Sequence, residues 1–203
     1  SRYETDIRHH SDACPVYWGW RGTPTRKLAD MYLCKSTGLP IENANYGFEG
    51  YATIKSEYEN RDPRMKQTFL MPGTAYISPH DGALTCPPQF TIRPETRTGY
   101  KLWKYMAETS VPSDKDVYDY HIIRYPEVLL ILAEATYEKD GAISDDILNK
   151  TINVIRSRKG VEMPPLTNAF VKSNGLDMRT EIRRERAIEL AFEGFRREDL
   201  RRW

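Results

Sequence analysis

The sequence predicts a mainly α-helical chain with long loops and a few short strands. Two observations point there. After residue 120, three stretches carry apolar residues at helical spacing between good capping residues. Before residue 120, Pro, Gly and aromatic residues are frequent, and only short segments alternate as strands do. The expected organisation is a loop-rich, aromatic-rich region over 1–119, the candidate ligand-facing part, and a helical core over 120–203. That core divides into an αα-hairpin 125–159, a linker 160–176 and a helix 177–196. With 203 residues the chain can bury a substantial core as one continuous domain.

Residues 1–26 are broken repeatedly by Cys14-Pro15, Gly19, Gly22 and Pro24, and they hold the densest aromatic cluster, Tyr17-Trp18-Gly19-Trp20-Arg21. Thr25 suits the N-cap of a short helix, Arg26–Cys34, ending before Gly38 and Pro40. Residues 41–60 set Tyr46, Phe48, Tyr51 and Tyr58 among Gly and Asn, the composition of an ordered loop. Arg61-Asp62-Pro63-Arg64-Met65 reads as a turn into a short helix or strand. Strands are expected at Lys66–Met71, at Thr85–Arg93 and at Lys101–Met106, where Trp103 and Tyr105 alternate.

The helical part opens with Tyr120–Glu138. Val128, Leu129, Leu132 and Ala135, widened by Ile131, are expected to form its buried stripe, and Pro126 fits its first turn. Asp140-Gly141 closes it. Ser144 then caps a second helix whose stripe is Ile147, Leu148, Thr151, Ile152 and Ile155, ending at Gly160. So short a connection sets the two antiparallel. Asp177 caps a third helix from Met178 to about Phe195. On it Glu181, Glu185, Glu189 and Glu193 recur every fourth residue as a column. A di-metal site would want a Glu-x-x-His pair, which this helix lacks. The reading adopted is a salt-bridge lattice to Arg124, Arg156 and Arg158, because carboxylates beside core-facing Met178 and Ile182 need partners.

Composition excludes several classes. Thirty basic and 29 acidic residues give a net charge of +1, so no strong field draws nucleic acid or an acidic membrane surface. The longest apolar run, Val128–Ala133, is far too short to span a bilayer. Cys14, Cys34 and Cys86 are compatible with one disulfide and a leftover thiol, or with three buried thiols; they make no ligand-spaced set with the four histidines. No phosphate loop, nucleophile elbow or zincin motif is present. No catalytic residue, metal or cofactor is expected.

Several spaced blocks carry a resemblance. Arg124-Tyr125-Pro126-Glu127-Val128-Leu129-Leu130, Ala133-Glu134-Ala135, Asn153-Val154-Ile155-Arg156-Ser157-Arg158, and Ile182-Arg183-Arg184-Glu185-Arg186 follow in order. Glu189 through Arg196 and Asp199-Leu200-Arg201-Arg202-Trp203 complete the series. The set resembles the C-terminal part of SusD/RagB-type proteins. Upstream, Pro24-Thr25, Leu28–Tyr32 and Arg61-Asp62-Pro63-Arg64 look like that family too. The resemblance implies a SusD-like helical fold built of tetratricopeptide-like helix pairs. It also implies an outer-membrane, surface-exposed nutrient-binding lipoprotein of a Gram-negative bacterium.

Such proteins cap a SusC-like TonB-dependent transporter and take up oligosaccharides or, in RagB-like branches, peptides. Members are normally longer, with a signal peptide and a lipidated cysteine, so the chain is expected to be a C-terminal portion. Membrane association would come only through an N-terminal lipid anchor that these residues do not include; Cys14, with no apolar segment before it, is not that cysteine. Binding is expected from loop aromatics that stack on sugar faces. The candidates are Tyr17, Trp18 and Trp20 for stacking and Arg21 for polar contact, with Tyr46, Tyr51 and Trp103 behind them. Two other readings stand beside this one. The chain could be a helical scaffold that binds only its transporter, or a glycoside hydrolase using loop acids such as Asp62, Asp81 and Glu95, which the sequence gives no reason to converge.

Overall fold

The computed structural model describes residues 24–42, 47–71, 73–78, 82–85, 98–104 and 122–203, and these are mainly helical. The helices among them are α1 (Arg26–Met31), α2 (Ile54–Tyr58), α3 (Pro63–Thr68), α4 (Tyr125–Asp140), α5 (Asp145–Lys150), α6 (Ile152–Ser157), α7 (Asn168–Ser173), α8 (Met178–Glu189) and α9 (Arg196–Arg202). Strands β1 (Ala75–Ser78) and β2 (Gly82–Thr85) form an antiparallel hairpin with Ala75 opposite Thr85. The chain divides into two compact units, one drawn from segments 1–29, 50–59 and 65–120, the other from 30–49, 60–64 and 121–203.

In the first unit, Thr25 caps α1 as expected, accepting from the Leu28 N–H at 3.2 Å. Thr53 and Ser56 exchange side-chain and backbone bonds in a capping box that starts α2. Phe69 and Tyr100 are buried with ring centroids 5.5 Å apart, and the Tyr100 hydroxyl donates to the Glu57 carboxylate. The strand expected at Lys66–Met71 is instead helical through Thr68. Asp62-Pro63 is a helix start: proline needs no N–H in the first turn, and the Asp62 carboxylate takes the Arg64 N–H at 2.9 Å. Of the expected edge strand Lys101–Met106, the described part makes a single bridge, Leu102 to Phe69. Of Thr85–Arg93, only Thr85 lies within the described residues, as the last residue of β2.

The second unit holds the helical core. Helix α4 ends where Gly141 turns left-handed at φ 68° and its N–H bonds the Tyr137 carbonyl. Ser144 and Asp177 cap α5 and α8 through the Ile147 and Thr180 N–H groups, as their positions foretell. The single helix expected from Ser144 toward Gly160 is broken at Thr151, whose hydroxyl bonds back to the Ile147 carbonyl at 2.6 Å while its own N–H reaches only Leu148. Within the expected linker Thr167 caps α7. Buried Asn153 ties the chain before it by donating to the Leu166 carbonyl at 2.9 Å and accepting the Leu166 N–H at 2.7 Å. Leu129, Leu130 and Ala133 of α4 pack with Ile143, Leu148, Ile152, Ile155, Leu166, Met178 and Ile182.

The expected buried stripe of α4 is also only partly right. Val128 and Leu132 were read as core, yet they are 50% and 48% exposed, and Ala135 is exposed as well. The helix is apolar around most of its circumference, so spacing alone does not select the buried side. Burial is decided by Leu130, Ala133 and Glu134, the last of which is met by partners from the C-terminal end.

Candidate functional site

The densest polar constellation in the described residues is built on one face of α8, in the second unit. Glu185 and Glu189 are one helical turn apart and buried. Arg64 Nη1 approaches Glu185 Oε1 at 2.6 Å, and Arg156 Nε approaches Oε2 at 2.9 Å, so each oxygen has its own cation. Arg64 also grips Asp62 through Nη2 at 2.7 Å. Glu189 receives Arg158 in a two-point contact at 2.8 and 3.1 Å, and Arg124 at 3.2 Å. Arg124 then reaches on to Glu193 at 2.6 and 2.8 Å. Four carboxylates, Asp62, Glu185, Glu189 and Glu193, face four guanidiniums, Arg64, Arg124, Arg156 and Arg158.

The lattice expected from Arg124, Arg156 and Arg158 is thus present. Arg64, at its centre, was missed. Its signal was the Arg-Asp-Pro-Arg motif, in which a helix-start aspartate sits two residues before an arginine with no apolar reason to be buried.

The electrostatics follow from this geometry. Burial pushes the Glu185 carboxyl up, but Arg64 and Arg156 outweigh it and hold it at about 2. Glu189 is lowered likewise, by Arg158, Arg64 and Arg124 against its burial. Burial pulls Arg64 down, while Glu185 and Asp62 hold its guanidinium well above the usual range. Glu181 differs: burial wins over its contact with Arg184, 3.3 Å away, and its carboxyl is raised. An acid–base centre needs a carboxyl that meets substrate, whereas Glu181 and Glu185 are 2% and 0% exposed. Asp62, one of the loop acids weighed for hydrolysis, is fully buried against Arg64. The arrangement therefore fixes helices and does not present reactive groups.

A second polar junction fixes α9 and Trp203 against α4. Buried Glu134 of α4 accepts from the Trp203 indole N–H at 2.5 Å and from Arg202 Nη2 at 3.0 Å. Guanidiniums of Arg183 and Arg196 lie 5.1 and 5.3 Å from the Trp203 ring centroid.

Of the expected ligand-binding residues, Tyr17, Trp18, Trp20, Arg21 and Tyr46 lie outside the described residues. Tyr51 and Trp103 both belong to the first unit. Tyr51 is 43% exposed, and the Arg26 guanidinium lies 3.9 Å from its ring centroid. Trp103 is half-buried and its backbone N–H donates to the Thr68 carbonyl at 2.7 Å. In the second unit, Phe48 carries the Arg61 guanidinium 5.0 Å from its centroid, a further loop ring that the sequence reading did not single out for binding. Cys34 is a buried free thiol; Cys14 and Cys86 lie outside the described residues.

Comparison with known proteins supplies the rest. No curated protein matches this chain. Among solved structures it is similar to a SusD-like carbohydrate binding protein from Bacteroides fragilis NCTC 9343, with 28% identity and a TM-score of 0.70 over 89% of this chain and 35% of that one. It is also similar to a SusD-like protein from the same organism, with 29% identity and a TM-score of 0.65 over 91% of this chain and 37% of that one. The chain thus spans about a third of the length of either neighbour. The SusD family profile matches residues 2–203, nearly every residue. The chain belongs to the SusD family.

Proposed function

We propose that this chain is the C-terminal part of a non-catalytic glycan-binding protein that captures oligosaccharides for a SusC-like TonB-dependent transporter at the outer membrane of a Gram-negative bacterium. The observation that carries the reading is family membership across residues 2–203, together with similarity to a carbohydrate binding protein at 28% identity. The helices of the second unit act as a rigid frame. Their buried carboxylates are engaged by arginines, so ligand contact falls to loop aromatics. Tyr17, Trp18, Trp20, Tyr46, Tyr51 and Trp103 would offer ring faces to sugar C–H surfaces, and Arg21 would bond hydroxyls.

The test is isothermal titration of the 203-residue protein against a panel of soluble plant and host polysaccharides, with a peptide mixture in parallel. Saturable binding to one glycan class, weakened about two- to tenfold in Trp18→Ala, Trp20→Ala or Tyr51→Ala, supports the reading, since an aromatic contact of this kind is worth about 0.5–1.5 kcal/mol. Binding confined to peptides would replace the glycan with a RagB-like cargo. Glycan binding that is the same in all three variants would remove these rings from the site.

A further inference from the structure

We propose that a row of guanidiniums and aromatic rings on α8, α9 and the end of α4 binds an acidic oligosaccharide, using none of the loop rings assigned above. The inference rests on the glycan-binding reading and adds a ligand class to it, sugars that carry carboxylates. Arg179 and Arg183 stand one turn apart on α8, about 6 Å along its axis, and are 49% and 27% exposed. The Arg179 guanidinium lies 5.5 Å from the ring centroid of Tyr137, and that of Arg183 lies 5.1 Å from the centroid of Trp203. Arg196, exposed at the start of α9, reaches Trp203 from 5.3 Å. Both rings are half-buried, and the Trp203 indole is held in place by its bond to buried Glu134.

The row carries more positive charge than its surroundings match. Glu138 is the one carboxylate paired with Arg179 and Arg183 among the described residues, at 3.0 and 3.3 Å. An exposed pair of this kind holds its partners weakly. Asp177 lies in the field of the same two cations, but its carboxylate is bonded to the Thr180 N–H and hydroxyl. Arg196 has no carboxylate partner among the described residues, and the buried Nε of Arg183 has no hydrogen-bond partner among them either. Guanidinium forks take carboxylates in the plane of their N–H groups. A half-buried ring beside them offers apolar surface to the C–H face of a sugar. The fitting ligand therefore repeats acid groups along an extended chain, with apolar faces between them. A neutral sugar leaves the cations unmatched, and a nucleic acid needs a broader basic field than a net charge of +1 supplies.

The experiment is isothermal titration of the 203-residue protein with oligogalacturonate at low and high NaCl, with neutral galacto-oligosaccharides and inorganic sulfate as comparison probes. The result expected is saturable binding of oligogalacturonate that weakens as salt rises. It should fall about fivefold or more in Arg196→Ala and in Arg179→Ala. It should tighten about twofold or more in Glu138→Gln, which removes the competing carboxylate; a gain of this kind does not arise from a damaged fold. Equal affinity in wild type and all three variants would overturn the proposal. So would sulfate binding as tightly as the oligomer, which would reduce the row to a site for any anion. A neutral glycan that binds, unaffected by Arg196→Ala, while oligogalacturonate does not, would sink this inference and leave the glycan reading standing. Failure of every glycan to bind would remove both.

Discussion

Glu185→Gln removes one charge from the centre of the lattice while keeping the side chain's shape. The wild-type carboxylate is fully buried and binds Arg64 at 2.6 Å and Arg156 at 2.9 Å. The amide offers one acceptor oxygen and turns an NH₂ group toward a guanidinium, leaving a buried cation without its counter-charge. Breaking one partner from a buried ion pair costs about 3–5 kcal/mol. In a domain of this size each kcal/mol lowers Tm by roughly 2–4 °C, so the variant should melt on the order of 10 °C or more below wild type at pH 7. Circular dichroism at 222 nm during heating reads this directly. A Tm within about 2 °C of wild type, corresponding to less than roughly 1 kcal/mol, would refute the view that this carboxylate holds the frame together.

The same group sets an acid limit. Its carboxyl falls from the usual 4.5 to about 2 in the folded chain; at about 1.4 kcal/mol per pH unit this is on the order of 3 kcal/mol. A lowered folded value means the stabilisation is fully present above the unfolded value and is lost as pH falls through the folded one. Wild-type unfolding midpoints in urea should therefore drop between pH 4.5 and 2, while Glu185→Gln shows a flatter profile; parallel profiles would contradict the assignment.

Glu181→Gln should behave oppositely: burial raises this carboxyl, so neutralising it should leave Tm unchanged or higher at pH 7, and a large fall would show that Arg184 matters more than burial. Asn153→Ala removes a side chain bonded to both backbone groups of Leu166 and should cost about 2–3 kcal/mol in chemical denaturation, through the unpaired buried N–H and carbonyl. Trp203→Ala takes one of the partners from buried Glu134 and should lower Tm by several degrees, with faster amide exchange confined to α9 and the adjoining part of α4; uniform exchange would place the loss elsewhere.

What the sequence revealed and concealed has a physical pattern. Caps were legible because Thr25, Ser144 and Asp177 act on N–H groups three residues away, within a window that a reader of the chain can see. The carboxylate column was legible because a buried Glu every fourth residue demands cations, and Arg124, Arg156 and Arg158 were the nearby supply. Arg64 escaped because it reaches Glu185 across 121 residues, and no local rule couples them. The side of α4 that faces the core escaped for another reason: Val128 and Leu132 are as apolar as Leu129 and Leu130, and only tertiary packing distinguishes them. The break at Thr151 depended on one hydroxyl choosing its own helix carbonyl, a choice invisible in spacing. Of the candidate binding rings, Tyr51 and Trp103 can be placed in the described residues, and their part in binding remains a proposal for titration to decide.

The charge lattice also bears on how such a chain changes over generations. Replacing a buried ion cluster with well-packed apolar side chains is often neutral or stabilising in the end state. Yet the route there passes through variants that have lost one partner alone, each carrying an orphan charge in the interior, and such coupled positions do not add. Asp62, Arg64, Arg156, Glu185 and Glu189 sit on segments far apart along the chain, so no single codon change or short insertion replaces them together. The cluster is thus hard to abandon one step at a time.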